Sequence, residues 1–223
     1  MAAKTKNTER REDALSRERI IAAAIEILDA RGENGLTVRA LAAHFTTGLG
    51  AIYWHMSSKA DIVAAATDAV LAGPAAAAPP DPGDAIRALA LRVFDSIDDH
   101  PWAGAQLSRT ASQPTTLKIF ESIGLQVQAL GVPAAAQFNT ASALLSYILG
   151  VANQNAALAQ SAEPGTNRTA VLEGVSAMWT DLDPTHFSFI RSIAPQLRDH
   201  DDRAQFLAGI DLLLAGIQAS ATS

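Results

Sequence analysis

Alanine fills about a fifth of the 223 residues, 46 in all, inside runs whose bulkier apolar side chains recur three and four positions apart. That spacing is the period of a helix, alanine is the strongest helix former, and the β-branched and aromatic alternation of strands is missing. The chain is therefore expected to be all-α. With no cysteine, it has no disulfide scaffold, no thiol nucleophile and no zinc site built on thiolates. No apolar run approaches the roughly 20 residues that span a bilayer. The basic opening, residues 1–13, lacks an apolar signal core, so the expected location is the cytoplasm, with no membrane partner.

The first helix begins after Ser16, a cap residue, with Ile20, Ile21, Ala24, Ile25 and Leu28 on one face, and Gly32 stops it. A second starts at Thr37, another cap residue, and lines up Val38, Leu41, Ala42 and Phe45. Thr46-Thr47-Gly48 breaks the pattern. Residues 49–56 are short enough for a helix or a strand, Ser57, Ser58 and Lys59 end them, and residues 61–71 read as a fourth, connecting helix. Residues 72–83 hold four of the ten prolines and read as a connection between two units. Further helical segments lie near 84–99, 102–111, 115–130, 134–159, 168–180, 184–193 and 201–219. The expected architecture is a reading unit over 1–60 and a larger helical body over 61–223.

Charge divides the same way. The chain carries a formal −6, which taken whole argues against a nucleic-acid partner. Residues 1–60, however, carry nine Lys/Arg against seven Asp/Glu, while residues 61–223 carry eight against sixteen. A mildly basic head sits on an acidic body.

Helix, glycine, short helix, tight turn and short helix is the order of a helix-turn-helix DNA reader, whose second short helix enters the major groove. Thr37 can cap its helix and face a phosphate. Arg39, in the first turn, can reach guanine O6 and N7 as a fork and is the expected main base reader. Tyr53, Trp54 and His55 are three amphipathic side chains in a row, able to bond phosphate oxygens, and Lys59 adds a positive charge. Thr47, Leu49, Gly50 and Ala51 complete the reading surface, with Leu49 and Ala51 suited to thymine methyls. Lys4, Lys6, Arg10 and Arg11 form an arm that can lie along the backbone or minor groove.

These residues resemble the tetracycline-repressor (TetR) family of transcriptional regulators. The matching stretch is Gly35-Leu36-Thr37-Val38-Arg39-Ala40-Leu41-Ala42, followed at the family's spacing by Ile52-Tyr53-Trp54-His55-Met56 and Lys59. The likeness covers about residues 16–71, and His100-Pro101-Trp102 and the late helices extend it into a ligand-binding and dimerisation domain. It implies that Thr37, Arg39, Tyr53, Trp54, His55 and Lys59 contact operator DNA. It also implies a three-helix DNA-binding domain followed by a larger helical domain. This chain departs from the family in the turn, where Thr46 and Thr47 replace the usual glycine and small aliphatic residue. Threonine is poorly suited to a left-handed turn position.

A DNA reader on a helical body implies dimerisation and a signal. Two recognition helices about one DNA turn apart would read a near-palindromic double-stranded operator. Segments 134–159 and 201–219 are the expected homodimer seam, as a four-helix bundle across a two-fold axis. The signal would be a small neutral or lipophilic molecule, because the apolar stretches contain few titratable groups. Candidate lining residues are Trp102, Phe120, Tyr147, Trp179 and Phe187, with His100, Gln106, Arg109, Asn139, Asn153 and His186 as polar groups. Helix 61–71 is the expected lever between signal and head.

No Gly-x-Ser-x-Gly, Walker-type loop or His-Glu-x-x-His occurs, so neither an enzyme nor a cofactor is expected. Asp183-Pro184-Thr185-His186 and Asp199-His200-Asp201-Asp202 are metal-like clusters, the second more simply an acidic cap for the last helix. Asn167-Arg168-Thr169 fits a glycosylation sequon by chance. The alternatives are a dimeric helical enzyme or metal-binding protein, and a ligand-binding protein without DNA affinity.

Overall fold

The computed structural model describes residues 15–72, 79–109, 114–161 and 167–221. Among them are eleven α-helices, one 3₁₀ turn and no strand. The basic arm with Lys4, Lys6, Arg10 and Arg11, residues 73–78 of the proline-rich connection, and residues 110–111 lie outside the described residues.

The first two helices start where their cap residues predict. Ser16 accepts a bond from the Arg19 N–H (3.3 Å) at the start of α1 (Arg17–Gly35). In its first turn, the Glu18 carboxyl is held below the usual carboxylate range by a backbone N–H and the Ser16 hydroxyl. The helical path of α1 breaks at Gly32, whose φ of 63° suits glycine alone. Thr37 caps α2 (Val38–His44), its Oγ1 accepting from the Ala40 N–H at 2.9 Å. Residues 49–55 settle as helix rather than strand, α3 (Leu49–His55). Ser58 accepts from the Asp61 N–H at 3.1 Å and opens α4 (Lys59–Ala72).

The next three helices, α5 (Pro82–Asp99), α6 (Pro101–Arg109) and α7 (Pro114–Ala129), each begin with proline. The first helical position needs no N–H donor, and proline's fixed φ suits it. The uncharged segment forms one helix of 28 residues, α8 (Ala134–Ser161). Asn167 accepts from the Ala170 N–H (3.4 Å) and caps α9 (Arg168–Thr180), which gives the Asn-Arg-Thr triplet a structural use.

The helix expected over 184–193 is shorter, α10 (Ser188–Ile193), followed by a 3₁₀ turn at Ala194–Leu197. The Asp183 carboxylate accepts from the Thr185 N–H (2.8 Å) and hydroxyl (2.7 Å). That local turn competes with helical hydrogen bonding and delays the helix. Asp201 caps α11 (Asp202–Ala221) through the Ala204 N–H at 2.9 Å, as expected of an acidic cap.

The chain forms two compact units, Met1–Ala78 with Asp95–Ser122, and Pro79–Phe94 with Ile123–Ser223. In the first, Ile20, Ile21, Ala24 and Leu28 of α1 pack with Leu36, Leu41, Ala42, Ile52, Met56, Ile62, Val63, Ala66 and Trp102. In the second, Ile86, Val93 and Phe94 of α5, Ile123 and Val127 of α7, Leu144 and Ile148 of α8, and Phe206, Ile210 and Leu214 of α11 are buried. Phe206 is stacked between Phe94 (centroids 4.6 Å) and Tyr147 (5.7 Å). The Tyr147 hydroxyl donates to the Phe206 carbonyl at 3.1 Å. A Cβ on Gly209 would lie 1.8 Å from that hydroxyl, so only glycine lets the ring cross α11 here. No helix among the described residues is long and apolar enough to cross a membrane.

Candidate nucleic-acid interface

The reading head is built on α2 and α3, which pack together beside α1. Leu41 and Ala42 of α2 and Ile52 of α3 point inward and anchor both helices. Thr37 and Arg39 are exposed on the opposite side of α2, and Arg39 makes no ion pair or hydrogen bond with any described residue. On α3, Leu49 is 44% exposed, Tyr53 52% and Trp54 86%, while His55 and Ala51 are half-buried and Gly50 is exposed. Two aromatic rings adjacent in sequence are thus left exposed on α3.

The turn between α2 and α3 is a Schellman cap. The Thr47 N–H donates to the Ala42 carbonyl (2.9 Å) and the Thr46 N–H to Ala43 (3.1 Å). This geometry needs a left-handed residue at the first position past the cap. Thr46 occupies it with φ 51°, the one described non-glycine residue with positive φ. The chain thus keeps the expected turn shape and carries the strain of a β-branched residue in it.

Lys59, expected to contact operator DNA, also has a partner within the fold. Its ammonium donates to the Glu33 carbonyl at 2.8 Å, tying the start of α4 to the last turn of α1 beyond the Gly32 break.

The candidate effector residues are divided between the two units. His100, Trp102, Gln106 and Phe120 belong to the first unit, and the first three face α1 rather than a cavity in the body. The Asp29 carboxylate receives the Trp102 indole N–H (2.7 Å) and His100 Nδ1 (2.8 Å), and the Gln106 amide donates to Glu33 (2.8 Å). Asp29 and Glu33, one turn apart on α1, were missed in the sequence, where their i, i+4 spacing beside the Gly32 break was the available signal. Arg109 ends α6.

In the second unit, Tyr147 is spent on the Phe206 stack, and burial pushes its phenol above the ordinary tyrosine value. The Asn153 amide donates to Leu149 within α8. Trp179 is half-buried, while His186 and Phe187 are exposed in the Asp183 turn, where His186 Nδ1 lies 3.2 Å from Asp183. Asn139 alone of the candidates lines the groove between α8 and α11, a space of about 540 Å³ bordered by Val132, Ala136, Ala143, Leu212, Gly216 and Ile217. A residue the sequence did not flag is Asn155, whose buried side-chain Nδ2 has no partner among the described residues. No group of three His, Asp or Glu among the described residues is placed to hold a metal ion.

Known proteins share this arrangement. Residues 20–66 match the family model of bacterial regulatory proteins, tetR family, and residues 79–221 that of the tetracyclin repressor-like C-terminal domain. The transcriptional regulator SCO7222, a TetR from Streptomyces coelicolor, has a solved structure 51% identical in sequence with a TM-score of 0.84. The match covers 93% of this chain and 100% of that one. An HTH-type transcriptional regulator of Saccharopolyspora erythraea is 29% identical over 210 residues, 93% of this chain and 86% of the relative. ActR of Streptomyces coelicolor, solved in complex with actinorhodin, shares the fold with a TM-score of 0.73 at 20% identity, over 94% of this chain and 100% of its own. With both halves matched and the reading helices in place, the chain belongs to the TetR family of transcriptional regulators.

Proposed function

We infer that the protein is a repressor that binds a near-palindromic operator as a homodimer and leaves it when a small neutral or lipophilic molecule binds its body. The observation that carries the DNA-reading role is the unpartnered Arg39 on α2 together with the bare rings of Tyr53 and Trp54 on α3, two helices fixed from behind by Leu41, Ala42 and Ile52. Arg39 has its five donors available for a guanine edge. Thr37, Tyr53 and His55 are suited to phosphates, with Thr47 beside them in the turn.

Dimerisation through α8 and α11 is supported by their two-sided character. One face of each helix fills the core, with Ala141, Leu144, Ile148 and Ala152 on α8 and Phe206, Ile210 and Leu214 on α11. The other face is exposed and made of small residues, Ala143, Ser146 and Gly150 on one helix and Ala208, Ala215 and Ala219 on the other, with Leu212 standing 76% exposed among them. Small side chains let helices of two copies approach closely, and an apolar outer face argues for a covering partner.

The effector reading draws support from ActR, whose structure holds actinorhodin, and from the orphan donor of Asn155, which an acceptor on a bound molecule would satisfy.

Selection from random duplexes with the purified chain tests the DNA-reading role. Enrichment of one palindrome, bound at nanomolar concentration and steeply weakened by salt, is the expected result. Arg39→Ala should relax the sequence preference at one position in each half-site. Failure to enrich any palindrome would remove the DNA-reading role.

A further inference from the structure

The first turn of the reading helix carries no polar side chain. Gly48 caps it without a side-chain bond, and Leu49, Gly50 and Ala51 follow. Ile52 is fully buried, so at 100° per residue Gly50 and Trp54 lie on the opposite, outward ridge, flanked by Leu49 on one side and Ala51 on the other. Glycine is a poor helix former, weaker than every residue except proline. Yet a Cβ built on Gly50 would meet nothing within 4 Å. The packing of the chain itself therefore gives no reason for glycine at this position. The notch it leaves faces outward, walled by two apolar side chains.

We propose that this notch seats the C5-methyl of a thymine, so that each operator half-site carries a thymine opposite the first turn of α3, read by methyl contact rather than by hydrogen bonds. The proposal rests on the DNA-reading role above and names the base class that role would recognise. In the major groove thymine alone presents a methyl group, beside the O4 acceptor. A G·C pair offers the same turn N7, O6 and the N4 amine, which Leu49 and Ala51 cannot satisfy. The polar groups of a T·A pair go unpaired there as well, so G·C is disfavoured because it lacks the methyl that fills the notch. A side chain at Gly50 would occupy the space the methyl needs.

The test uses the full chain and its selected palindrome, with deoxyuridine replacing thymine one step at a time. Deoxyuridine keeps every hydrogen-bonding group and loses only the methyl. At the step facing α3, affinity should fall about four-fold per methyl and about fifteen-fold when both half-sites are changed, the ratio expected from burying one methyl group. Leu49→Ala should shrink that thymine-to-uracil ratio. Gly50→Ala should weaken the thymine operator at least ten-fold while the melting temperature stays level or rises, which a folding defect would not produce. Equal binding of the uracil operator at every step would overturn the methyl seat and leave the DNA-reading role standing. Unchanged binding by Gly50→Ala would overturn it as well. If no palindrome is enriched at all, the DNA-reading role fails first and the seat with it.

Discussion

Thr46→Gly should make the reading head more stable. A non-glycine residue in the left-handed region costs about 1–2 kcal/mol, and a branched Cβ places threonine toward the upper end. Glycine releases that strain but loses more backbone freedom on folding, an opposing cost of about 0.5–1 kcal/mol. The two Schellman bonds come from the backbone N–H groups of Thr46 and Thr47 and survive the change. The expected net gain is about 1 kcal/mol. For a chain of this length, that corresponds to a rise of about 2–4 °C in Tm. Trp102 offers the readout for this unit, because its indole is buried and bonded to Asp29, so its emission changes as the first unit unfolds. Thr47→Gly is the control. Thr47 has no positive φ, so glycine there relieves nothing and should lower stability by several tenths of a kcal/mol. If Thr46→Gly leaves the urea midpoint unchanged or lowers it, or if Thr47→Gly raises it equally, the strain assignment is wrong.

Three further outcomes are expected. Gly209→Ala should destabilise the second unit by about 1–3 kcal/mol, the usual cost of overpacking, because the new methyl falls on the Tyr147 hydroxyl; a Tyr147→Phe, Gly209→Ala double variant that recovers most of the loss in urea titrations would locate the clash. Asn155→Leu should stabilise the chain by about 1 kcal/mol, since it removes a buried donor with no partner, and calorimetry should show weaker effector binding in the same variant; a loss of stability would mean that the amide is satisfied. Stability should also decline at both ends of the pH range. Asp183 is held low by bonds from the Thr185 hydroxyl and N–H, and Asp201 by the Ala204 N–H, so their contributions are complete above the ordinary aspartate value and fade as pH falls below about 4. Tyr147 is raised by burial, so its contribution is present below about pH 10 and is lost as pH climbs past that value. Thermal melts of Asp201→Asn that keep the full acid decline would remove Asp201 from this account.

The head was legible because its information is local. Ser16, Thr37 and Gly32 act within one turn of themselves, and the structure finds each where the sequence put it. The Tyr53-Trp54-His55 run needed only the helical period to place two rings outside and Ile52 inside. Local reading failed where a side chain's partner is distant in sequence. Lys59 looks like a free charge until the Glu33 carbonyl, 26 residues away, is found beside it. His100 and Gln106 read as polar groups of a pocket and Trp102 as its apolar lining, and nothing local shows that Asp29 and Glu33, more than 70 residues earlier, bond all three. The helix expected over 184–193 failed for the reverse reason, because a strong local bond from Asp183 to Thr185 outcompeted a weak helical pattern. Gly209 shows the limit most plainly. Its role is set by one phenol on another helix, and a lone glycine in an alanine-rich run carries no sign of that.

Those distant partners offer a second candidate, beside helix 61–71, for the element that carries a signal. Helix 61–71 was the expected lever, but α4 belongs wholly to the first unit, whereas α5 and α7 have residues in both. Directly after α5 comes His100, then α6 with Trp102 and Gln106, and these three side chains hold Asp29 and Glu33 at the end of α1. Hydrogen bonds to charged groups contribute about 1.5–3 kcal/mol each, less where part-exposed as here, so a difference in one of them between two states is on the scale of the roughly 1–3 kcal/mol of a typical allosteric coupling. Since α2 packs on α1, variants at these bonds test whether α1 carries the signal to the reading helices. A repressor built this way would sense its effector through Asp29 and Glu33 before α4 moves. On that reasoning Asp29→Asn, which keeps an acceptor but removes the charge, should reduce operator affinity and effector response together, whereas a change at the exposed Ala69 of α4 such as Ala69→Ser should alter neither. Fluorescence anisotropy on the selected operator, with and without effector, separates the two. Equal loss in both variants would return the lever to α4.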